Sequence, residues 1–147
     1  MDYIKFIPLY GNCHKLEYAT ALSSGIDLKA YIKDADGNPT YTVIDPCGRL
    51  LINTGYSCKL HQNFEGQIRS KSGLALKHGI QVLNSPGTID ADYEQAIGVI
   101  LHNTDAYNHY RVNDGDKIAQ FVISPVSRDP EYLSENKRNG GFGSTGK

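Results

Sequence analysis

Tryptophan is absent from the 147 residues, methionine occurs once, and cysteine occurs three times, at Cys13, Cys47 and Cys58. An odd cysteine number without C-x-x-C spacing argues against a disulfide framework or a cysteine zinc site and reads as reduced thiols. No run approaches the roughly 18 apolar residues that span a bilayer. The amino end, with Asp2, Lys5 and Pro8, has no apolar stretch of the signal-peptide kind, so neither a membrane span nor a secretion signal is expected. An excess of one charge is missing too: 15 Lys plus Arg against 16 Asp plus Glu leave a formal charge of −1. Such a chain has no basic field for duplex nucleic acid or an anionic membrane surface, and neither is expected as a partner. The five histidines show no helical H-x-x-x-H, so a zinc site is not expected. The length suffices for one domain that buries its own core without disulfides or a structural metal.

Glycine is plentiful, with 15 residues. Up to Gly115 the glycines recur at intervals of about 6–17 residues, which suits many short strands separated by turns. Gly25-Ile26-Asp27-Leu28-Lys29-Ala30 alternates apolar and polar residues at period two, as a half-buried strand does. Asp36-Gly37-Asn38-Pro39 has turn chemistry, and the β-branched and aromatic run Thr40–Ile44 follows it. Ala96–Leu101 and Lys117–Ile123 read as buried strands that end at Asn103 and at Ser124-Pro125. One short helix is expected, capped by Ser72, propagated by Leu74-Ala75-Leu76-Lys77 and stopped by Gly79. The architecture these signals predict is all-β: a jelly-roll or β-clip type barrel of about ten short strands with one short helix.

From Ser134 onward the only apolar side chain is Phe142, so residues 134–147 read as a flexible arm appended to a β domain of residues 1–133. Within this arm, Gly141 to Lys147 satisfy G-x-x-x-x-G-K. A P-loop needs a buried strand before that motif and a helix after it; the 147 residues offer neither, so a P-loop is not expected. Its chemistry survives, because backbone amides and hydroxyls at Gly-rich positions favour phosphate oxygens. Two other segments are rich in polar groups. Arg69-Ser70-Lys71-Ser72-Gly73 sets a cation and hydroxyls where the helix begins, with outward-pointing amides. Asn84-Ser85-Pro86-Gly87-Thr88-Ile89-Asp90-Ala91-Asp92-Tyr93 begins as a turn and carries two carboxylates two residues apart, on one face if extended.

In chain order, Gly25-Ile26-Asp27-Leu28-Lys29-Ala30, Ser72-Gly73-Leu74-Ala75-x-Lys77-x-Gly79-Ile80, Gly87-Thr88-Ile89-Asp90-x-Asp92-Tyr93, Gly115-Asp116-Lys117-Ile118-Ala119-Gln120 and Gly140-Gly141-Phe142-Gly143-Ser144-Thr145-Gly146 resemble the five ordered motifs of trimeric deoxyuridine triphosphatases (dUTPases). The resemblance implies a β jelly roll and a homotrimer whose shared active sites hydrolyse dUTP to dUMP and pyrophosphate, with Mg²⁺ as cofactor. It implies a role in lowering dUTP and supplying dUMP for thymidylate synthesis, in the cytoplasm or in the nucleotide-metabolising compartment of a host cell.

Carried over by motif, Asp90 is the catalytic residue, holding the 3′-hydroxyl and orienting or deprotonating the attacking water. Tyr93 packs under the deoxyribose and leaves no room for a 2′-hydroxyl. Asn84, Gly87, Thr88 and Ile89, with Gly98, pair with uracil. Ser72, Gly73 and Gln120 hold the α and β phosphates with Lys71 nearby, and Asp27 supports the metal indirectly through water. Phe142 stacks on uracil, Arg138, with Lys137 beside it, meets the γ-phosphate, and Gly143, Ser144 and Thr145 complete the closed arm.

Three departures from the family pattern stand out. Lys71 replaces the usual arginine, exchanging a planar fork for a point charge. Glu94-Gln95-Ala96 replaces the usual residues after Tyr93, and the tail arginine is displaced by one position to Arg138. Two rival readings follow. A dCTP deaminase of the same fold would need a glutamate in the strand after the third motif, and Ile97–Leu101 has no carboxylate. A catalytically silent regulator draws support only from the substitutions, against which stand Asp90, Tyr93 and the complete arm motif.

Overall fold

The computed structural model describes residues 3–143 and 146. Among them run eleven strands: β1 (Ile4–Pro8), β2 (Ile26–Lys29), β3 (Tyr41–Ile44), β4 (Arg49–Asn53), β5 (Tyr56–Leu60), β6 (Phe64–Arg69), β7 (Ile80–Val82), β8 (Gly87–Ile89), β9 (Gly98–Asn103), β10 (Tyr110–Asn113) and β11 (Lys117–Pro125). One α-helix, α1 (Ser72–His78), and one 3₁₀ turn, Pro130–Tyr132, complete the elements. The all-β expectation with a single short helix holds, and the fold is a jelly roll. The strands form four antiparallel sheets, in the orders β1-β5, β10-β3, β2-β11-β6-β8 and β4-β9-β7, without closing into one ring among the described residues.

Branched and aromatic side chains from all four sheets meet in one core. Leu28, Ile97, Val99, Leu101, Val112 and Phe121 are fully buried, and Phe6 meets Phe121 edge-on with ring centroids 5.2 Å apart. No helix among the described residues is long and apolar enough to cross a membrane.

Local signals correct some of the sequence reading. Gly79 does stop α1, in the left-handed conformation (φ 63°, ψ 23°) that glycine adopts at little cost. Ser72 does not cap the helix: it is the first helical residue, Lys71 stands at the N-cap, and no side chain there bonds the free amides. β2 is not the half-buried strand its alternation suggests, because Ile26, Asp27 and Leu28 are all buried.

The four-stranded sheet positions the polar groups. In its registers Gln120 on β11 faces Asp27 on β2 from one side and Arg69 on β6 from the other. One residue earlier on β6, Ile68 pairs with Gly87 on β8. Residues far apart in sequence thus share one row across the sheet, which continues into the turn before β8.

Candidate active site

One end of the site is built on Asp27. Its carboxylate is almost fully buried and receives a hydrogen bond from Lys71 Nζ at 2.5 Å on Oδ1. Lys117 Nζ lies 2.7 Å from Oδ2, close enough for an ion pair, yet that oxygen lacks a well-directed hydrogen bond. Burial alone would push the Asp27 carboxyl up, but the close contacts and charges of Lys117 and Lys71 outweigh it and hold it below the usual carboxylate range. Asp27 in turn raises the Lys117 ammonium above its ordinary value.

Lys117 reaches this side of the sheet through a β-bulge. The register with β2 slips by one residue between Lys117 and Ala119, and one extra residue exchanges the faces to which alternating side chains point. Ser70 ties the neighbouring segments together: its hydroxyl accepts from Val82 N at 2.8 Å and lies 3.4 Å from Ser85 Oγ. Gln120 Nε2 donates to Ser70 O at 3.1 Å.

The other end is a cavity of about 380 Å³ lined by Asn84, Gly87, Thr88, Ile89, Tyr93 and Gly98, with Phe142 and Gly141 from the arm at its edge. Tyr93 forms a fixed wall: it is 6% exposed, its hydroxyl donates to Ala96 O at 2.8 Å, and burial raises its pKa against the opposing Arg138 charge. A Cβ on Gly141 would come within 2.5 Å of the Tyr93 ring, so the arm backbone lies directly against it. Phe142 is 63% exposed, and its Cζ would lie 3.2 Å from a Cβ on Gly98.

Asp90 to Tyr93 form a turn, closed by Tyr93 N donating to Asp90 O at 3.0 Å, so extension does not place the two carboxylates on one face. The two carboxylates nevertheless face one partner. Arg138 pairs with Asp90 through Nη2 and with Asp92 through Nε at 2.7 Å, and its Cζ sits 5.7 Å from the Tyr93 ring centroid. The Asp92 hydrogen bond, with further help from both carboxylate charges, raises the guanidinium pKa still higher.

The fold and this constellation have counterparts in known proteins. The sequence pattern of the dUTPase family matches residues 12–146. The chain belongs to the dUTPase family. It is 47% identical over 137 residues to the deoxyuridine 5′-triphosphate nucleotidohydrolase of Wolbachia pipientis, covering 88% of this chain and 85% of that one. It is 47% identical over 135 residues to the enzyme of the same name from Cytophaga hutchinsonii, covering 88% and 83%.

Among solved structures, a mutant dUTPase from phage phi11 of S. aureus, described with a structural Mg(II) ion, superposes with a TM-score of 0.76 at 21% identity over 92% of this chain and 98% of that one. The dUTPase of Staphylococcus bacteriophage 80alpha with the nucleotide analogue dUpNHpp also gives 0.76 at 21% identity, with both chains covered in full. At that identity the likeness shows a shared dUTPase fold.

Within this dUTPase chain the anticipated residues fall into two groups, the first on the four-stranded sheet and the second between that sheet, β9 and the arm. Asp27, Lys71 and Gln120 come together at one end, with Ser72 and Gly73 exposed beside them at the start of α1. Asn84, Gly87, Thr88, Ile89, Tyr93, Gly98 and Phe142 line the cavity at the other. Gly143 is exposed, and Ser144 and Thr145 lie outside the described residues. Lys137 is exposed, and Arg138 is the cation that turns inward.

Sequence reading missed Ser70, Lys117 and Asp92 as parts of the site. Ser70 lay inside a segment already singled out. Lys117 stood in the fourth motif, but the bulge that turns it toward Asp27 is a property of strand pairing that local sequence does not show.

Proposed function

We propose that this chain hydrolyses dUTP to dUMP and pyrophosphate, with residues 1–133 as the catalytic domain and 134–147 as an arm that closes on the nucleotide. The observation that carries this reading is the cavity between β8, β9 and the arm, where Asn84, Tyr93, Gly98 and Phe142 meet within one turn of Asp90. Its volume of about 380 Å³ suits a nucleoside. The amides and carbonyls around Gly87–Ile89, with Asn84, read the uracil edge; cytosine would leave buried groups unpaired. The fixed Tyr93 ring carries the deoxyribose and excludes a 2′-hydroxyl. Asp90, half exposed beside it, accepts the 3′-hydroxyl and a proton from the attacking water, a contribution of about 10²–10⁴-fold for a positioned base.

At the phosphate end, Lys71, Ser72, Gly73 and Gln120 hold the α and β phosphates, and Lys117 joins Lys71 as a second cation. Mg²⁺ fits here as an ion bound mainly by phosphate oxygens and water: the buried Asp27 carboxylate, held ionised, would support its water shell in competition with the two lysines. When bound, the ion supplies charge neutralisation on the triphosphate. The fold family supports a homotrimer in which such ends come from neighbouring subunits.

A substrate panel tests the reading. With Mg²⁺ present, pyrophosphate release from dUTP should far exceed that from dCTP, dTTP or UTP. Binding of dUTP without turnover would overturn hydrolysis in favour of a silent regulator.

A further inference from the structure

Resting on the hydrolase reading, we propose that Ser70 is a positioning residue that acts through Gln120, fixing the amide that meets a phosphate oxygen. Ser70 is half-buried at the junction between β6 and α1. β7 pairs with β9 along one edge, and just past its end Leu83 N donates to Ile100 O at 2.9 Å. The preceding amide, Val82 N, points to the opposite side, away from β9. The Ser70 hydroxyl accepts from it at 2.8 Å and lies 3.4 Å from Ser85 Oγ, a partner for its own proton. The side chain thus pins the junction to β7, and the Ser70 carbonyl is held where Gln120 Nε2 donates to it at 3.1 Å.

Gln120 is gripped from another side as well. A Cβ on Gly25 would come within 2.5 Å of Gln120 Oε1 and 2.9 Å of its Cβ, so the Gly25 backbone lies directly against the side chain. The nitrogen of a glutamine amide carries two protons. Ser70 O takes one, and the second is left for a phosphate oxygen in a fixed direction. Without this hold the amide turns about its broad terminal torsion, and a bound phosphate must order it again. None of these contacts involves the arm, so they hold whichever subunit closes over the nucleotide.

The test is calorimetric titration of the full chain with the non-hydrolysable dUpNHpp in Mg²⁺, with steady-state hydrolysis of dUTP beside it. Ser70→Ala should weaken dUpNHpp about three- to tenfold, the cost of ordering a freed amide side chain. KM for dUTP should rise by about the same factor while kcat stays within about twofold, because the amide is engaged before and during the reaction alike. Ser70→Thr keeps the hydroxyl and should restore binding. Ser70→Cys, close in shape but a weaker acceptor, should fall between the two. In a Gln120→Ala background, Ser70→Ala should cost less than about twofold further, because the group it positions is gone. A merely structural role would leave the two losses additive. Unchanged binding in Ser70→Ala, no recovery in Ser70→Thr, or full additivity with Gln120→Ala would each overturn the proposal. A parent chain that fails to bind dUpNHpp would overturn the hydrolase reading, and the proposal with it.

Discussion

Asp27→Asn is the most informative single change, because it removes the charge that two lysines share while keeping the shape of the side chain. The carboxylate is 4% exposed, and Lys71 and Lys117 are 27% and 45% exposed. A hydrogen bond to a charged group contributes about 1.5–3 kcal/mol, and the more exposed Lys117 pair less than about 1. Together they make the loss about 3 kcal/mol, or roughly 6–12 °C in melting temperature for a domain of this size. A second effect falls on substrate. A lysine no longer held by Asp27 must be ordered by the triphosphate itself, at about 1–2 kcal/mol of side-chain entropy, so KM for dUTP should rise roughly five- to thirtyfold. Thermal melts and steady-state pyrophosphate release measure the two effects separately, and a Mg²⁺ titration divides the causes: a KM defect from disordered lysines is not restored by raising Mg²⁺. A variant that melts within about 2 °C of the parent with unchanged KM would refute the claim that this carboxylate organises the phosphate end.

Three further changes test other parts of the structure. Asp114, almost fully buried, accepts from Lys33 at 2.6 Å, Ile32 N at 2.8 Å and His14 at 2.9 Å. Burial would raise its pKa, but these partners lower it below the usual carboxylate range. Its contribution is therefore present above the ordinary carboxylate pKa and lost as pH falls through the depressed folded value. The gap in unfolding free energy between parent and Asp114→Asn by urea titration, about 3 kcal/mol at pH 7, should narrow below about pH 4, and a gap that stays constant on acidification would contradict it. Gly66→Ala would bring a Cβ to 2.6 and 2.7 Å from Cε2 and Cε1 of the fully buried Phe121, and closer still to Cζ. The expected loss is about 1–3 kcal/mol by denaturant unfolding, and unchanged stability would show the ring has room to move. Asp90→Asn should lower turnover at least about 10²-fold while dUTP still binds; near-normal rates would reassign the base.

Much of the fold was legible because strand ends and the helix stop are written locally. Gly79, the turn at Asp36-Gly37 and the end of β9 at Asn103 depend on residues within a few positions. What local pattern misread were groups whose partners lie far along the chain. Asp27 looks like the outward residue of an alternating strand, and it is buried because Lys71, 44 residues away, and Lys117 satisfy its charge. Asp90 and Asp92 would share a face only in an extended segment. They share a partner instead, through a turn that Arg138 spans from the arm. The order of motifs located these residues, but only pairing across the sheet shows what each one touches.

That pairing also explains why a residue with no chemistry governs the site. β6 lies between β11 and β8, and it leads into Ser70 and Lys71 at one end of the site while pairing with Gly87 and Thr88 at the other. A one-residue slip of β6 against β11 would move Arg69 and Gln120 out of their row and turn alternate side chains to the wrong face. The Phe121 ring, seated over Gly66, opposes such a slip, because a slipped register would bring a side chain bearing a Cβ beneath the ring. Glycine at position 66 therefore holds the register that orders both groups of residues without touching either. In Gly66→Ala the loss of stability and the rise in KM should then be coupled, since both arise from the same displaced ring.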